Sequence, residues 1–334
     1  MIDFIFTNDY EIYGNGEGSL KELIFDPASR LQNIFNQAGV KLVFFVEAAE
    51  LERIETDKSD PAIFDVKNQI KKLYQEGHEI ALHLHPQWYN GNYNDSKWEL
   101  DVSEYNLCAL PEQRIKAIID RSINYLRAIL SDPNYAPISF RAGNWLFQPT
   151  QPAAKILTES GIKIDSSVFK GGLQHKHSLD YRPSLQNGYF WKFQNDVNIT
   201  TGNGEMIEMP IYSEMVPPWR MATKKRMAIQ QKAPAGRRTF KDIMDRVLDL
   251  VRLQQPLKLD YCRMTMDELT GMMDRIIQDD ARDPKSLKPI VAIGHTKDLV
   301  DFETVVTFLS YLKQNNITVS TFKDVFHRCF TTQH

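Results

Sequence analysis

The stretch Ile80-Ala81-Leu82-His83-Leu84-His85-Pro86-Gln87-Trp88 begins as an apolar strand and ends in two histidines one residue apart. Side chains alternate faces along a strand, so His83 and His85 project to the same side, at a spacing that lets two imidazoles share one metal ion. Pro86 lacks an N–H and stops the ladder. Just before this strand, Asp60-Pro61 opens a helical pattern carrying Ile63, Val66, Ile70 and Leu73, and Gly77 ends it. The same unit stands upstream. An apolar run from Ile2 to Asp9 is followed by Asp26-Pro27 as N-cap and first helical residue, Leu31, Ile34 and Phe35 on one face, Gly39 as the stop and a strand from Val40 to Val46. Apolar strands alternating with amphipathic helices predict a parallel sheet covered on both faces.

Downstream the alternation continues. A helix is expected from about Pro111 to Leu130, a strand from Pro137 to Phe140 running into Arg141, and a helix capped by Thr150. The short strand Ile162 to Ile164 then runs into Asp165. Between about 170 and 257 the regularity lapses into short strands at Tyr189 to Phe193, Val197 to Thr200 and Met206 to Ile211, and a helix at Phe240 to Leu253. We read this as an insertion within a single domain spanning the chain. It holds a basic run of Arg220, Lys224, Lys225, Arg226, Lys232, Arg237, Arg238 and Lys241 with no acid among them, either a solvated face or a clamp for an anion. A strand at Leu257 to Cys262, a helix at Met264 to Ile277, the strand Pro289 to Ile293 delivering His295, a helix at Phe302 to Lys313 and a strand at Ile317 to Ser320 follow.

The bulk numbers set limits. A chain of 334 residues with 42% hydrophobic content builds a sizeable core, and a net charge of -3 with pI near 6.3 argues against a general nucleic-acid binder. No apolar run reaches the roughly 18 residues of a membrane span, and Met1 to Thr7 has no basic n-region, so the expected location is the cytoplasm. Cys108, Cys262 and Cys329 form no paired motif and are expected as free thiols.

The strand ends collect Asp9 and Glu11, His83 and His85, Arg141, Asp165 and His295, where a parallel α/β barrel places its chemistry. A carboxylate with two histidines is a ligand set for a catalytic divalent metal with an open position for water. In type and order these residues resemble the polysaccharide deacetylases of NodB-homology type, carbohydrate esterase family four. Thr7-Asn8-Asp9-Tyr10-Glu11 is similar to the family's Thr-Phe-Asp-Asp, and Gly77-His78-Glu79-Ile80 leading to His83 resembles its second motif. Phe140-Arg141-Ala142-Gly143-Asn144 is similar to its Arg-x-Pro-x-Gly, Ile164-Asp165-Ser166-Ser167 to its fourth motif, and Val291 to His295 to its fifth.

The resemblance implies a distorted (β/α) barrel of about seven parallel strands and a divalent metal of zinc type, for which we read His83 as the histidine ligand, His85 as the substitute for the second motif's later histidine, and Glu11, on the strand face of Asp9, as a replacement carboxylate ligand. It also implies hydrolysis of an acetyl group on a sugar of a polysaccharide, glycan or precursor. Asp9 is then the base, Arg141 its orienter, His295 the acid, Asp165 a tuning residue, and Tyr10 or a backbone N–H a support for the oxyanion. Two departures stand out: Tyr10 replaces the second aspartate of the first motif, and the later histidine of the second motif falls on Gln87. Sliding the first motif by one residue makes Asp9 a metal ligand instead. Other readings of the same fold are a C–N hydrolase on a small non-sugar amide and a binding protein with impaired catalysis.

Overall fold

The computed structural model describes residues 1–221 and 253–331. The apolar N-terminal run forms β1 (Ile2–Tyr10), whose alternation feeds two cores. Phe4, Phe6 and Tyr10 point into the layer under the helices, and Ile5 points into the barrel interior with Val43, Phe45, Ala81, Ile207 and Val291. The strands that follow are β2 (Val43–Glu47), β3 (Glu79–Leu84), β4 (Ser139–Ala142), β5 (Ile164–Asp165), β6 (Trp191–Phe193) and β7 (Met206–Glu208). β8 (Ser213–Val216), β9 (Gln255–Lys258), β10 (Lys288–His295) and β11 (Thr318–Val319) follow, and short antiparallel pairs at Asn92–Asn94 with Lys97–Glu99 and Leu173–Gln174 with Leu179–Asp180 lie outside the main sheet.

The order β7-β5-β4-β3-β2-β1-β10 is parallel throughout, which gives the seven parallel strands of the barrel. β6 adds antiparallel to β7, and β11 pairs with the start of β1. The ring closes through a thin seam. Ile211 bridges both Phe169 and Val291, and Leu259 passes hydrogen bonds between Tyr212 and Ile293 at 2.8 and 2.9 Å. Closure by single bridges instead of full ladders is what distorts the barrel.

Helices α1 (Asp26–Ala38), α2 (Ala48–Asp57), α3 (Ile63–Gln75), α4 (Glu112–Leu130) and α5 (Ala153–Glu159) pack outside, followed by α6 (Met266–Arg282), α7 (Phe302–Gln314) and α8 (Phe322–Thr331). α8 differs from the others in sending Phe322, Val325 and Cys329 into the interior cluster, with Phe322 5.9 Å from Phe45 between ring centroids. Among the described residues no helix is long and apolar enough to cross a membrane. The three cysteines are buried and unpaired.

Several sequence expectations are corrected. The first helix begins a turn before Asp26, as a π-turn over Lys21–Phe25 in which the Asp26 N–H reaches Lys21 O. Pro27, having no N–H, is accommodated just inside the α-helical part. Thr150 is no cap: its hydroxyl accepts from the Val197 N–H at 3.0 Å, and α5 starts behind Pro152. Val197 to Thr200 is a turn, held by the same contact. α2 was not expected; Glu47 caps it through the Glu50 N–H. β7, within the stretch read as an insertion, is an integral barrel strand. The basic residues from Lys224 to Lys241, and all of the helix expected at 240–253 except its last residue, lie outside the described residues.

Candidate functional site

Inward-facing side chains at the C-terminal rims of β1, β3, β4 and β10 meet in one buried cluster. Asp9 and Glu11 face inward because Tyr10, between them, faces outward, where its hydroxyl donates to Gln69 Oε1 at 2.5 Å. Tyr10 therefore does not reach the site, against its expected role at an oxyanion.

Asp9 pairs with His295 in the β1–β10 register, and Oδ2 lies 3.4 Å from His295 Nε2. From β4, Arg141 Nη1 donates to Asp9 Oδ1 at 2.5 Å. The guanidinium is wholly buried, donates to Thr7 Oγ1 at 3.0 Å and to Ser166 O at 2.8 Å, and lies 4.1 Å over the Phe45 ring. Burial disfavours the Asp9 charge, but Arg141, with His83 and His295, outweighs it and holds the carboxyl below its usual range. His295 is turned the other way: burial lowers its pKa despite Asp9 and Asp298. Its Nδ1 is 3.6 Å from Asp298 Oδ2, and Asp298 is held by Arg263 at 2.5 Å.

Glu11 Oε2 lies 3.3 Å from His83 Nε2 and 3.0 Å from His85 Nε2. Ligand atoms of these three buried residues fall within 4.8 Å of one another, and Asp9, Glu11 and His295 form an overlapping group. His83 Nδ1 sits 2.8 Å from Arg141 O, which can only accept, so Nδ1 carries the hydrogen and the neutral ring offers its lone pair at Nε2. Burial works against protonation of both rings. For His83 the bond to Glu11 and the charge of Asp9 prevail and the pKa rises, while for His85 burial wins and it falls.

His85 is held from behind. Its Nδ1 lies 3.3 Å from the side-chain amides of both Gln87 and Asn144, and its N–H donates to Glu47 Oε1 at 2.7 Å. Gly143 makes room for the ring, since a Cβ there would come within 2.7 Å of it and 2.6 Å of Leu84 O. Lys297 Nζ donates to Glu11 Oε1 at 2.7 Å and to Ile12 O at 2.8 Å. Against the cost of burial, Lys297 and His85 keep Glu11 well below the ordinary carboxylate range.

Asp165 stands apart from this cluster. Its hydrogen bonds go to the Ser167 N–H at 3.2 Å, the Ser167 hydroxyl at 2.7 Å and Glu208, so it shapes the turn whose Ser166 carbonyl grips Arg141. Of the other residues singled out, His177 stacks on Tyr105, His78 accepts from the Leu42 N–H and Trp88 is core. Four residues escaped the sequence reading: Lys297, Lys258 and the buried carboxyls Glu47 and Glu50. The polar pair flanking Ala48-Ala49 after an apolar strand was the available signal for the last two; the lysines carry none in sequence.

One carboxylate oxygen and two imidazole nitrogens converge here, each backed by a fixed partner, with the other Glu11 oxygen engaged by Lys297. That donor set fits a divalent ion retaining open positions.

No protein-family model matches the chain, and no curated protein does. Solved structures do. A protein assigned as a polysaccharide deacetylase from Mycobacterium smegmatis is similar with a TM-score of 0.55 at 15% identity, over 98% of this chain and 90% of that one. One so assigned from Pseudomonas aeruginosa PAO1 gives 0.54 at 14%, over 99% and 93%. The PuuE allantoinase gives 0.51 at 14%, over 98% and 89%. The molecule is thus an α/β protein of the distorted-barrel class. Within that class it has the NodB-type fold of the polysaccharide deacetylases, and at these identities the likeness is one of fold.

Proposed function

We propose that the protein is a metal-dependent deacetylase that removes an acetyl group from an N- or O-acetylated sugar of a polysaccharide, a glycan or its precursor. The observation that carries this reading is the convergence of Glu11, His83 and His85 beside the Asp9–Arg141 pair and His295. Glu11, His83 and His85 would hold the ion, zinc in this reading. When bound, such an ion polarises the acetyl carbonyl and brings the pKa of its water towards about 7.

The chain's own residues supply the proton chemistry. Arg141 keeps Asp9 ionised, so Oδ2 is free to take a proton from the attacking water. His295 Nε2, 3.4 Å from that oxygen, receives the proton from Asp9 and delivers it to the leaving nitrogen or oxygen as the acyl bond breaks, and acetate and the deacetylated sugar depart. Asp165 acts through the Ser166–Ser167 turn on Arg141, as a positioning residue.

The test is metal content and acetate release from N-acetylated sugars. Stoichiometric metal and turnover are expected, both lost in His83→Gln; a metal-free protein, or turnover unchanged in that variant, overturns the reading. A second reading, a C–N hydrolase on a small non-sugar amide, draws on the fold shared with a protein named an allantoinase. A screen in which small cyclic and linear amides are hydrolysed and acetylated sugars are not would select it.

A further inference from the structure

The loop after β4 presents Asn144 and Trp145 at φ of +55° and +61°, two successive side-chain-bearing residues in the left-handed region. Such conformations persist where the surroundings impose them, and they gather at ligand sites. Here they serve the cluster on both sides: the Asn144 amide reaches His85 Nδ1, and the Trp145 ring stands 6.5 Å from the His295 ring. On the face of that indole lies Lys258 from β9, with Nζ 3.1 Å from the Trp145 centroid and 4.7 Å from that of Phe169.

Among the described residues this ammonium has no hydrogen-bond acceptor and no carboxylate partner. Asp260, two residues on, is engaged by the Cys262 N–H at 3.1 Å and faces Arg263 at 3.9 Å. The Trp145 indole N–H is buried without an acceptor. The corner beside the reacting groups thus holds a partly buried ammonium that no acceptor of the described residues meets and a buried indole N–H left unpaired, and the latter costs stability until an acceptor arrives. Burial draws the Lys258 pKa down to about 7, so an incoming anion would also restore its charge.

We propose that Lys258, laid on Trp145 at the edge of the cluster, receives an oxyanion carried by the acetylated sugar, so that the substrate is an acidic sugar. This rests on the deacetylase reading. A uronate carboxylate and a sugar phosphate share the required chemistry, and a lysine receives either as a point charge.

The experiment compares an N-acetylated oligosaccharide bearing a uronate with its methyl ester and with a phosphorylated analogue, on wild type, Lys258→Gln and Lys258→Arg. The acid-to-ester ratio of kcat/KM is expected to be about tenfold or more in wild type, the range of one charge-assisted hydrogen bond. The ratio should persist in Lys258→Arg and fall to near one in Lys258→Gln. A ratio near one in wild type, or one that survives in Lys258→Gln, overturns the proposal. If the phosphorylated sugar shows the larger preference, the oxyanion is a phosphate. Calorimetric binding of the deacetylated acid and its ester reads the same corner without turnover. Failure of hydrolysis with acid-selective, Lys258-dependent binding overturns the deacetylase reading alone, and equal binding of acid and ester overturns the Lys258 proposal.

Discussion

Asp9 has one oxygen bound to Arg141 and the other facing His295, and it belongs to a group with Glu11 that could ligate an ion. The two roles separate on substitution. As a base, Asp9→Asn is expected to lower kcat by about 10²- to 10⁴-fold with bound metal unchanged, read by steady-state kinetics and metal analysis; loss of the metal would make Asp9 a ligand. The variant leaves a buried guanidinium short of its carboxylate, at a cost of about 3–5 kcal/mol, so the assay belongs well below the melting midpoint. Gln87 stands where the family pattern places its later histidine, yet its amide lies behind His85 with Oε1 buried and unpaired. Turning that amide over would let Oε1 accept from His85 Nδ1–H and bare Nε2 as a ligand. Gln87→Leu is therefore expected to weaken zinc binding by about 10- to 100-fold in a competition titration, and unchanged affinity would remove Gln87 from the site. The sequence placed Asp9, Glu11, His83, His85, Arg141 and His295 because each is a polar residue ending an apolar run. Lys258 and Lys297 were illegible, since a lysine reads as solvated by default and only the closed barrel takes these two inside.

Among the elements, the pairing of β5 with β7 sets Glu208 directly beside Asp165, both fully buried. Burial and the neighbouring Asp165 raise the Glu208 pKa well above normal, so Glu208 carries the proton and donates it to Asp165. The unfolded chain loses that proton above about pH 4.3, whereas the folded protein keeps it. Stability from this group is therefore full below the unfolded pKa and declines by about 1.4 kcal/mol for each pH unit up to the raised folded value. Glu208→Gln keeps the donor and removes the proton. Its melting midpoint relative to wild type should rise with pH from about 5 until the raised Glu208 value is reached, and a difference that stays constant from about pH 5 upward would refute the shared-proton account. This pairing was not readable in the chain, because the order of β7 next to β5 is long-range. α2 was missed for a related reason: its cap is a glutamate whose second oxygen serves the His85 N–H, so the signal for the helix lies on another strand. The strands β1, β3 and β10 were readable because burial on both faces writes itself as unbroken apolar runs.

At the scale of the whole molecule, the candidate ligands lie on strands that do not touch. Glu11 follows β1, His83 and His85 belong to the end of β3, and β2 runs between them. An ion bound there would join both sides of the sheet at its C-terminal rim, across from a seam closed mainly by the single bridges of Ile211 and Asp260. Binding to the folded state alone stabilises it by RT ln(1 + [L]/Kd), about 2.7 kcal/mol at a hundredfold excess over Kd. At about 2.1 cal/mol/K of unfolding entropy per residue, a chain of 334 residues shifts its midpoint by about 1.4 °C per kcal/mol, so zinc is expected to raise Tm by roughly 4 °C over chelated protein. His83→Gln, which removes one of the three donors, should abolish most of that difference. Scanning calorimetry with zinc and with chelator reads it directly; coincident midpoints for wild type would mean that the rim is held by the Glu11–Lys297 and Asp9–Arg141 pairs alone. Of those pairs, Asp9–Arg141 spans from β1 to β4, past the histidines at the end of β3, and Arg141→Gln should therefore lower the midpoint of zinc-bound protein less than that of chelated protein, because the ion then shares the task of holding the rim of β1 against β3 and β4.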